Sequence, residues 1–175
     1  MLGSCQSDSY QINGFTHHLQ EGDTICLTTG DLPEKLLGHA IVNEGKFHIT
    51  GTTDTTLLCQ LYLKRETPCA VSFFLEPGTI TVELTPPPAQ SKVSGTKLNN
   101  AWQQLNDSVR YLGSQLIHLA KTAGEFSENA HLSRLRAIDS LHRKMSDCIL
   151  NTAKRNHHNA LGKYIQENYK EPEFK

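Results

Sequence analysis

Residues 79–98, TITVELTPPPAQSKVSGTKL, contain the point at which the hydrophobic pattern of the chain changes. Before the three prolines, Ile80, Val82 and Leu84 alternate with polar residues, which is the period of a half-buried strand. After the prolines, apolar residues recur three and four positions apart, which is the period of an amphipathic helix. The sequence therefore predicts an α+β fold, in which an antiparallel β-sandwich-like N-terminal domain is followed by a helical hairpin arm.

The predicted β domain covers residues 8–90, where short strand patterns alternate with turn residues. The clearest predicted hairpin joins residues 36–42 to residues 46–51 through the turn Asn43-Glu44-Gly45. Glycine supports this interpretation because it supplies the positive φ that tight connections require. Turn residues at these intervals are typical of an antiparallel sandwich or barrel.

The predicted helical arm covers residues 91–175. Its first helix has one apolar stripe, formed by Leu98, Trp102, Leu105, Val109, Leu112, Leu116 and Leu119. Gly124 is predicted to end this helix and Ser127 to begin a second one. The second helix has a predicted inward face formed by Leu132, Leu135, Ile138, Leu141, Met145 and Ile149. A short third helix is indicated by Leu161, Tyr164 and Ile165. Two stripes joined by a short loop predict an antiparallel helical hairpin.

The charges of the chain are divided unevenly along its 175 residues. The formal net charge is -1, but residues 1–91 contain 4 Lys and Arg against 10 Asp and Glu, whereas residues 92–175 contain 13 against 8. Opposite signs indicate two structural units. The basic half has no dense Lys/Arg tract and no interleaved aromatic residues, so we interpret it as solvated helical surface and predict no nucleic-acid partner.

The N-terminus has the form of a bacterial lipobox. Leu2-Gly3-Ser4-Cys5 gives an aliphatic residue, two small residues and a cysteine, and polar residues follow. The cysteine thiol of such a motif is acylated, so Cys5 is the predicted lipidation site and residues 1–7 are the lipobox remnant and tether. This interpretation predicts a periplasmic-side envelope protein that contacts the membrane through a lipid anchor only. The alternative is a secreted protein in which Cys5 is an ordinary terminal cysteine.

No complete catalytic or cofactor motif is present in the sequence. Neither a Gly-x-Ser-x-Gly elbow nor a glycine-rich phosphate loop occurs. The remaining cysteines, whose disulfide status stays open, form no Cys-x-x-Cys pair: Cys26, Cys59, Cys69 and Cys148. None of the nine histidines forms a His-x-x-x-His pair. We therefore predict no catalytic residue, no metal site and no cofactor, and interpret the chain as not being an enzyme.

Four motifs in order resemble an uncharacterised N-terminal domain, a domain of unknown function that precedes the thioredoxin-like domain of bacterial envelope thiol–disulfide oxidoreductase lipoproteins. They are a strand ending in glycine, YQING, at residues 10–14; GKFHITG at residues 45–51; FFLEPGTITV, which resembles a hairpin, at residues 73–82; and VSGTKLN at residues 93–99, where the helices begin. NALGKY at residues 159–164 also fits.

This resemblance covers residues 5 to about 169 and implies an envelope lipoprotein. It carries over no catalytic residue, because the family's chemistry belongs to the Cys-x-x-Cys of the thioredoxin-like domain, which these 175 residues do not contain. The chain is then either an excised piece of such a protein or a stand-alone accessory domain. Fold alone implies no activity.

Three functions follow as hypotheses. The first is a non-catalytic interaction or positioning module of an envelope thiol-redox system, whose partner is a thioredoxin-like domain or another envelope protein. The second is a module that binds an envelope ligand, either a glycan or a peptide. The third is a thiol oxidoreductase in which Cys26, Cys59 or Cys69 acts alone.

Overall fold

The computed structural model describes residues 8–30, 34–64, 69–121 and 128–170. The chain divides into two compact units, Met1–Gln103 and Gln104–Lys175. A short strand over residues 92–94 and the first turns of the first helix, which lie beyond the predicted limit of the β domain at residue 90, belong to the first unit. The α+β fold class, with a sandwich-like N-terminal part and a helical C-terminal part, is confirmed.

The described part of the first unit contains two four-stranded sheets. The strands are β1 (Ser9–Phe15), β2 (Thr24–Thr29), β3 (Leu36–Ile41), β4 (Lys46–Thr52), β5 (Leu57–Leu63), β6 (Ala70–Leu75), β7 (Gly78–Glu83) and β8 (Lys92–Ser94). The order is β4-β1-β7-β8 in one sheet and β3-β2-β5-β6 in the other. Consecutive strands therefore often lie in different sheets.

The two predicted hairpins were wrong in one respect, because neither pairs its own two strands. The Asn43 turn forms with two reciprocal backbone hydrogen bonds to Lys46, both of 2.9 Å. Beyond it, however, β3 pairs with β2 and β4 pairs with β1. In the same way, β6 and β7 lie in different sheets. Both strands flanking each turn face one core, so burial places them in opposite layers rather than side by side.

One strand pair also departs from the antiparallel prediction. β1 and β7 are parallel, from Tyr10 opposite Gly78 to Phe15 opposite Glu83. Parallel neighbours need a long crossover, and here the five intervening strands provide it. The alternation of apolar residues identifies the buried face of each strand but carries no information about the direction of its neighbour.

The core lies between the two sheets and is formed by alternate residues of each strand. Its largest fully buried side chains in this unit are Ile12, Ile25, Leu27, Val42, Leu61, Phe73, Leu75, Ile80, Val82 and Leu84. Each fully buried side chain of this size contributes roughly 1.5–3 kcal/mol relative to exposure. The hydrophobic effect thereby fixes the facing of the two sheets.

In the described part of the chain, three helices follow the strands: α1 (Lys97–Lys121), α2 (Glu128–Arg155) and α3 (Ala160–Asn168). The predicted stripe of α1 is confirmed, since all seven of its apolar residues are buried or half-buried. Gly124 and Ser127, the predicted boundary residues, lie outside the described residues. Along the described chain, no helix combines the length and apolarity needed to cross a bilayer.

Within the second unit, α1 and α2 run antiparallel. Near their adjoining ends, the Arg134 side chain of α2 donates a hydrogen bond of 3.0 Å from Nε to the Leu119 carbonyl of α1. Farther along, Ser114 of α1 lines the same groove as Lys144 of α2. This arrangement is the helical hairpin that the sequence predicted.

α3 packs against the C-terminal half of α2. The Asn159 side chain caps α3 by accepting hydrogen bonds from the backbone N–H groups of Leu161 and Gly162, at 3.1 and 3.2 Å. Gly162 allows a close approach, because a Cβ at this position would collide with the Asn156 carbonyl. Buried Leu161 and Ile165 complete the contact face of α3.

The inward face predicted for α2 was wrong at Leu132 and Leu135, which are 45% and 47% exposed. Both leucines lie on a part of α2 that the much shorter α3 does not reach. α3 has 9 residues and α2 has 28, so at about 1.5 Å per residue α3 can cover only part of α2. Farther along the predicted face, Leu141 is buried and Met145 is half-buried.

Candidate functional site

The motif glycines of β1 and β4 lie beneath aromatic rings. Gly14 is opposite Phe47 and Gly51 is opposite Tyr10. A Cβ at either glycine would collide with the ring of its partner, so only glycine leaves room for that ring. Burial raises the pKa of Tyr10, and the nearby Cys59 adds to the rise. These motif residues therefore hold the core together.

The motif at residues 93–99 closes the edge of the second sheet. Asn99 is fully buried, and its Oδ1 accepts a hydrogen bond of 2.9 Å from the Phe74 N–H while its Nδ2 donates one of 2.8 Å to the Phe74 carbonyl. The Trp102 indole N–H donates to the Ser72 carbonyl at 2.8 Å. The start of α1 thus satisfies backbone groups of β6, which is an edge strand.

The first turns of α1 also contact the edge of the first sheet. The Gln103 Oε1 accepts a hydrogen bond of 2.8 Å from the Val93 N–H of β8. Gly95 precedes the helix with a φ of +107°, and a Cβ there would collide with the Thr79 carbonyl. Like the glycines of β1 and β4, this motif therefore has a structural role.

The cysteines proposed for single-thiol chemistry are all buried. Cys59 and Cys69 belong to the apolar core, and burial raises the pKa of Cys69, which keeps its thiol protonated near neutral pH. Cys26 faces outward, directly opposite His39 and Tyr62, but is only 6% exposed. None of the four described cysteines is joined to another by a disulfide bond.

Burial is the main cause of a raised pKa at Tyr62, and Cys26 and Glu34 add to it. The histidines and acidic residues of the described ranges form no group of three or more that could hold a metal ion. His157 and His158 at the end of α2 contact each other edge-on, with ring centroids 5.3 Å apart. We assign no reactive role to these residues.

A groove of about 530 Å³ separates α1 from α2. Leu119, Ala137 and Leu141 give it an apolar floor, and His118 and Lys144 stand among its polar lining residues. Pockets of this size accommodate small ligands or side chains of a partner. The groove lies wholly within the second unit.

The side of α2 turned away from this groove has exposed leucines. Leu135 precedes Ala153 by 18 residues, or five helical turns, so the two side chains leave α2 on the same side. Ala153 is 7% exposed, and nearby Ser146 accepts a hydrogen bond of 2.8 Å from the Tyr169 hydroxyl beyond α3. Leu135 and Leu132 continue this side toward the start of α2, where both are exposed. We name these two leucines the open face of α2.

A second cavity, of about 560 Å³, lies where β3 turns into β4. We name it the corner cavity, and its lining residues are Asn13, Gly14, Ala40, Ile41, Asn43, Lys46, Phe47 and His48. The Asn13 Oδ1 accepts two hydrogen bonds, one of 3.1 Å from the Gln11 Nε2 and one of 2.8 Å from the His48 Nδ1. The amide of Asn13 is thereby fixed in orientation.

The predicted site residue and the residues of the corner cavity are different. Cys5, the predicted lipidation site, lies outside the described residues. The sequence analysis assigned no function to Asn13 or His48, because strand alternation shows only that their side chains face solvent. That they stand opposite each other follows from the pairing of β1 with β4, which no local pattern reveals.

No curated protein matches the chain. A family model described as a domain of unknown function, DUF4369, matches residues 10–102, which is more than half of the 175 residues. The match ends one residue before the first unit does. It therefore includes both sheets and the turns of α1 that cover β6, and it leaves out the helical unit. The chain belongs to this family, the domain of unknown function DUF4369.

Proposed function

We propose that this chain is a non-catalytic interaction module of a bacterial envelope thiol-redox lipoprotein, and that the open face of α2 binds the thioredoxin-like partner. The observation that carries the proposal is the exposure of Leu132 and Leu135 on the side of α2 that is buried farther along. Two leucines three residues apart on one side of a helix have the spacing with which an amphipathic helix contacts a partner's apolar groove.

The burial of Cys26, Cys59 and Cys69 supports a non-catalytic role. A redox-active cysteine needs an accessible thiolate, whereas Cys59 and Cys69 are at most 1% exposed. In this proposal the redox chemistry belongs to the partner, and the present chain holds that partner in place. The order of sequence motifs supplies the choice of a thioredoxin-like domain as the partner.

The path of the chain supports the position of the docking surface. Tyr169 follows α3 and contacts Ser146, on the same side of α2 as Leu135 and three turns away from it. A partner domain held near this point would stand beside the open face. A short connection raises the effective concentration of two surfaces, so even a weak apolar contact would be occupied.

Site-specific photocrosslinking tests the proposal. A photoreactive phenylalanine analogue replaces Leu135 in the full chain, and irradiation of intact cells is followed by mass spectrometry of the products. We expect a crosslink to a protein or domain with a thioredoxin-like Cys-x-x-Cys. Leu135→Asp should reduce association with that partner about tenfold or more, because a buried unpaired carboxylate is costly.

The same analogue at Ser133 is the matched control. Ser133 is exposed on α2 but points to another side of the helix, so it should give no such product. Equal crosslinking from both positions, or products from Leu135 that contain no thioredoxin-like domain, would contradict the proposed surface.

The proposal also places the module on the periplasmic side of the envelope, anchored through Cys5. Cys5→Ser in the native host should then move the protein from the membrane fraction to the soluble fraction, because acylation of the thiol is lost. Cys148→Ser is the control and should leave the protein in the membrane fraction. Retention of the Cys5→Ser variant in membranes would remove the lipid anchor from the account.

A further inference from the structure

We propose that the corner cavity is a binding site for a small carboxylate-bearing sugar. This site lies in the β unit and is independent of the docking surface on α2. It is built from strands β1, β3 and β4 and from the turn between the last two. Rigid strands position side chains more accurately than loops do, which favours a pre-formed site.

The hydrogen bonds of Asn13 determine which groups face a ligand. A carbonyl oxygen can only accept, so the His48 Nδ1 donates its hydrogen to the Asn13 Oδ1, and the Nε2 of a neutral His48 is left as an acceptor. The Gln11 Nε2 occupies the same Asn13 oxygen. Among the described residues, no group accepts a hydrogen bond from the Asn13 Nδ2. The two N–H hydrogens of the Asn13 Nδ2 and the Nε2 of a neutral His48 are thus available to the hydroxyls of a sugar.

The charge of the corner cavity selects an anion. Among the described residues that line it, Lys46 is the only Lys or Arg, and none is Asp or Glu. Within the described ranges, no carboxylate stands within ion-pair distance of the Lys46 ammonium. A ligand carboxylate would therefore have no competitor from these residues. Lys46 and Asn13 lie on neighbouring strands, so one small molecule can contact both.

One wall of the corner cavity is apolar. Ile41 is 53% exposed there, and Ala40 stands next to it. A sugar ring presents C–H groups on its faces and hydroxyls around its rim, so it can contact Ile41 while it bonds to Asn13. This combination distinguishes an acidic sugar from a simple carboxylate, which would use Lys46 alone.

Titration of the full chain followed by two-dimensional amide NMR tests this site. The probes are D-glucuronate, D-glucose and acetate, each up to tens of millimolar. We expect glucuronate to bind in the millimolar range, as befits a small polar ligand, and to shift the amides of the lining residues. Glucose and acetate should each bind at least about fivefold more weakly, since each lacks part of the recognised chemistry.

Two variants and one control decide the outcome. Lys46→Gln should weaken glucuronate about fivefold and remove its advantage over glucose. Asn13→Asp keeps an acceptor for Gln11 and His48 but removes the Nδ2 donor and adds a negative charge, so it should abolish detectable binding. Lys92→Gln, on β8 at the opposite edge of the same sheet, should change nothing.

The amide spectra of the free variants report whether each one is folded. Absence of shifts with glucuronate, shifts that map away from the corner cavity, or equal binding of acetate would each overturn the proposal. An unchanged affinity in the folded Lys46→Gln variant would do the same.

Discussion

The β unit (Met1–Gln103) and the helical unit (Gln104–Lys175) differ in which of their surfaces are covered by their own residues. In the β unit, the start of α1 covers the β6 edge through Asn99 and Trp102, and aromatic rings fill the space above Gly14 and Gly51. In the helical unit, α3 covers part of α2 and leaves Leu132 and Leu135 exposed. The β unit therefore covers an edge strand and its glycines with its own residues and leaves Leu36 and Ile41 exposed at β3, whereas the helical unit leaves apolar side chains exposed along a helix that another helix covers elsewhere.

The family match follows the same division. It covers residues 10–102 and therefore describes the β unit, including the residues of α1 that contact its edge strand. Surfaces that a protein leaves apolar and exposed are more often used for binding than those it covers. The family's sequence motifs therefore identify a scaffold, because the residues that carry them pack against aromatic rings or close sheet edges.

The largest expected effect is the loss of the closed edge. Asn99→Ala removes both hydrogen bonds to the buried Phe74 backbone, and we expect it to lower the free energy of unfolding of the β unit by about 3 kcal/mol. Urea unfolding followed by the fluorescence of Trp102, the only tryptophan of the chain, measures this. Trp102 reports on the right place, because its ring stacks edge-on against Phe74 at 5.7 Å between centroids.

Gln104→Ala is the control for this variant. Gln104 lies on the same helix with an exposed side chain, so its loss should change the free energy of unfolding by less than about 0.5 kcal/mol. If Asn99→Ala were as mild as this control, the edge-closing role of Asn99 would be wrong.

Glycine substitutions should have opposite effects in the two units. Gly14→Ala forces a Cβ into the Phe47 ring and should cost about 2 kcal/mol of stability. Gly113→Ala in α1 meets no atom within 4 Å and should add about 0.5–1 kcal/mol through helix propensity. Urea unfolding, followed by Trp102 fluorescence for Gly14→Ala and by far-ultraviolet circular dichroism for Gly113→Ala, measures both.

Adding Phe47→Leu tests the cause of the Gly14 effect. The smaller side chain makes room for the new Cβ, so the double variant Gly14→Ala/Phe47→Leu should lose less stability than the sum of the two single variants. Strict additivity would show that the ring and the glycine do not depend on each other.

The fold class was predictable because it depends on periodicity, which is local. The change of period near residue 86 separated β1–β7 from the helices, although the short β8 still follows the prolines, and the apolar stripe from Leu98 to Leu119 is half-buried or better. Strand pairing was not predictable in the same way. The turn at Asn43 forms as the sequence indicates, but the partner of each flanking strand is decided by a core assembled from distant residues.

The candidate sites were less predictable than the fold. Leu132 and Leu135 carry the same helical pattern as Leu141, but Leu141 lines the groove beside α1, whereas the two leucines lie on the side of α2 that α3 covers only in part. In the corner cavity, Asn13 and His48 are 35 residues apart in sequence, and each is an ordinary solvent-facing strand residue until β1 pairs with β4. A function that arises from juxtaposition leaves little trace in a single sequence.

Alkaline pH should lower the free energy of unfolding of the β unit, because the Cys69 thiol is buried in its core. Burial raises the pKa of Cys69 above its ordinary value of 9.0, so the unfolded chain loses this proton before the folded chain does. The stabilisation is therefore fully present below about pH 9 and is lost as pH rises toward the folded pKa. Urea unfolding between pH 7 and pH 10 under reducing conditions should show a decline in the free energy of unfolding from this group.

Cys69→Ala should flatten part of that decline, at the cost of a lower stability at pH 7. The raised pKa values of Tyr10 and Tyr62 act in the same direction at still higher pH, so some decline should remain. An identical pH dependence with and without the Cys69 thiol would show that its burial is not what couples the β unit to pH.

The smallest expected effect tests whether the open face of α2 is exposed in the folded chain. Leu135→Ala should change the free energy of unfolding by no more than about 0.5 kcal/mol, because its side chain is 47% exposed. Leu161→Ala, at a fully buried position of α3, should cost about 2–5 kcal/mol. Urea unfolding followed by far-ultraviolet circular dichroism compares the two. If Leu135→Ala were as damaging as Leu161→Ala, the leucine would already be buried within the folded chain. The open face of α2 would then be unavailable to a partner, and the contrast between the two units would disappear.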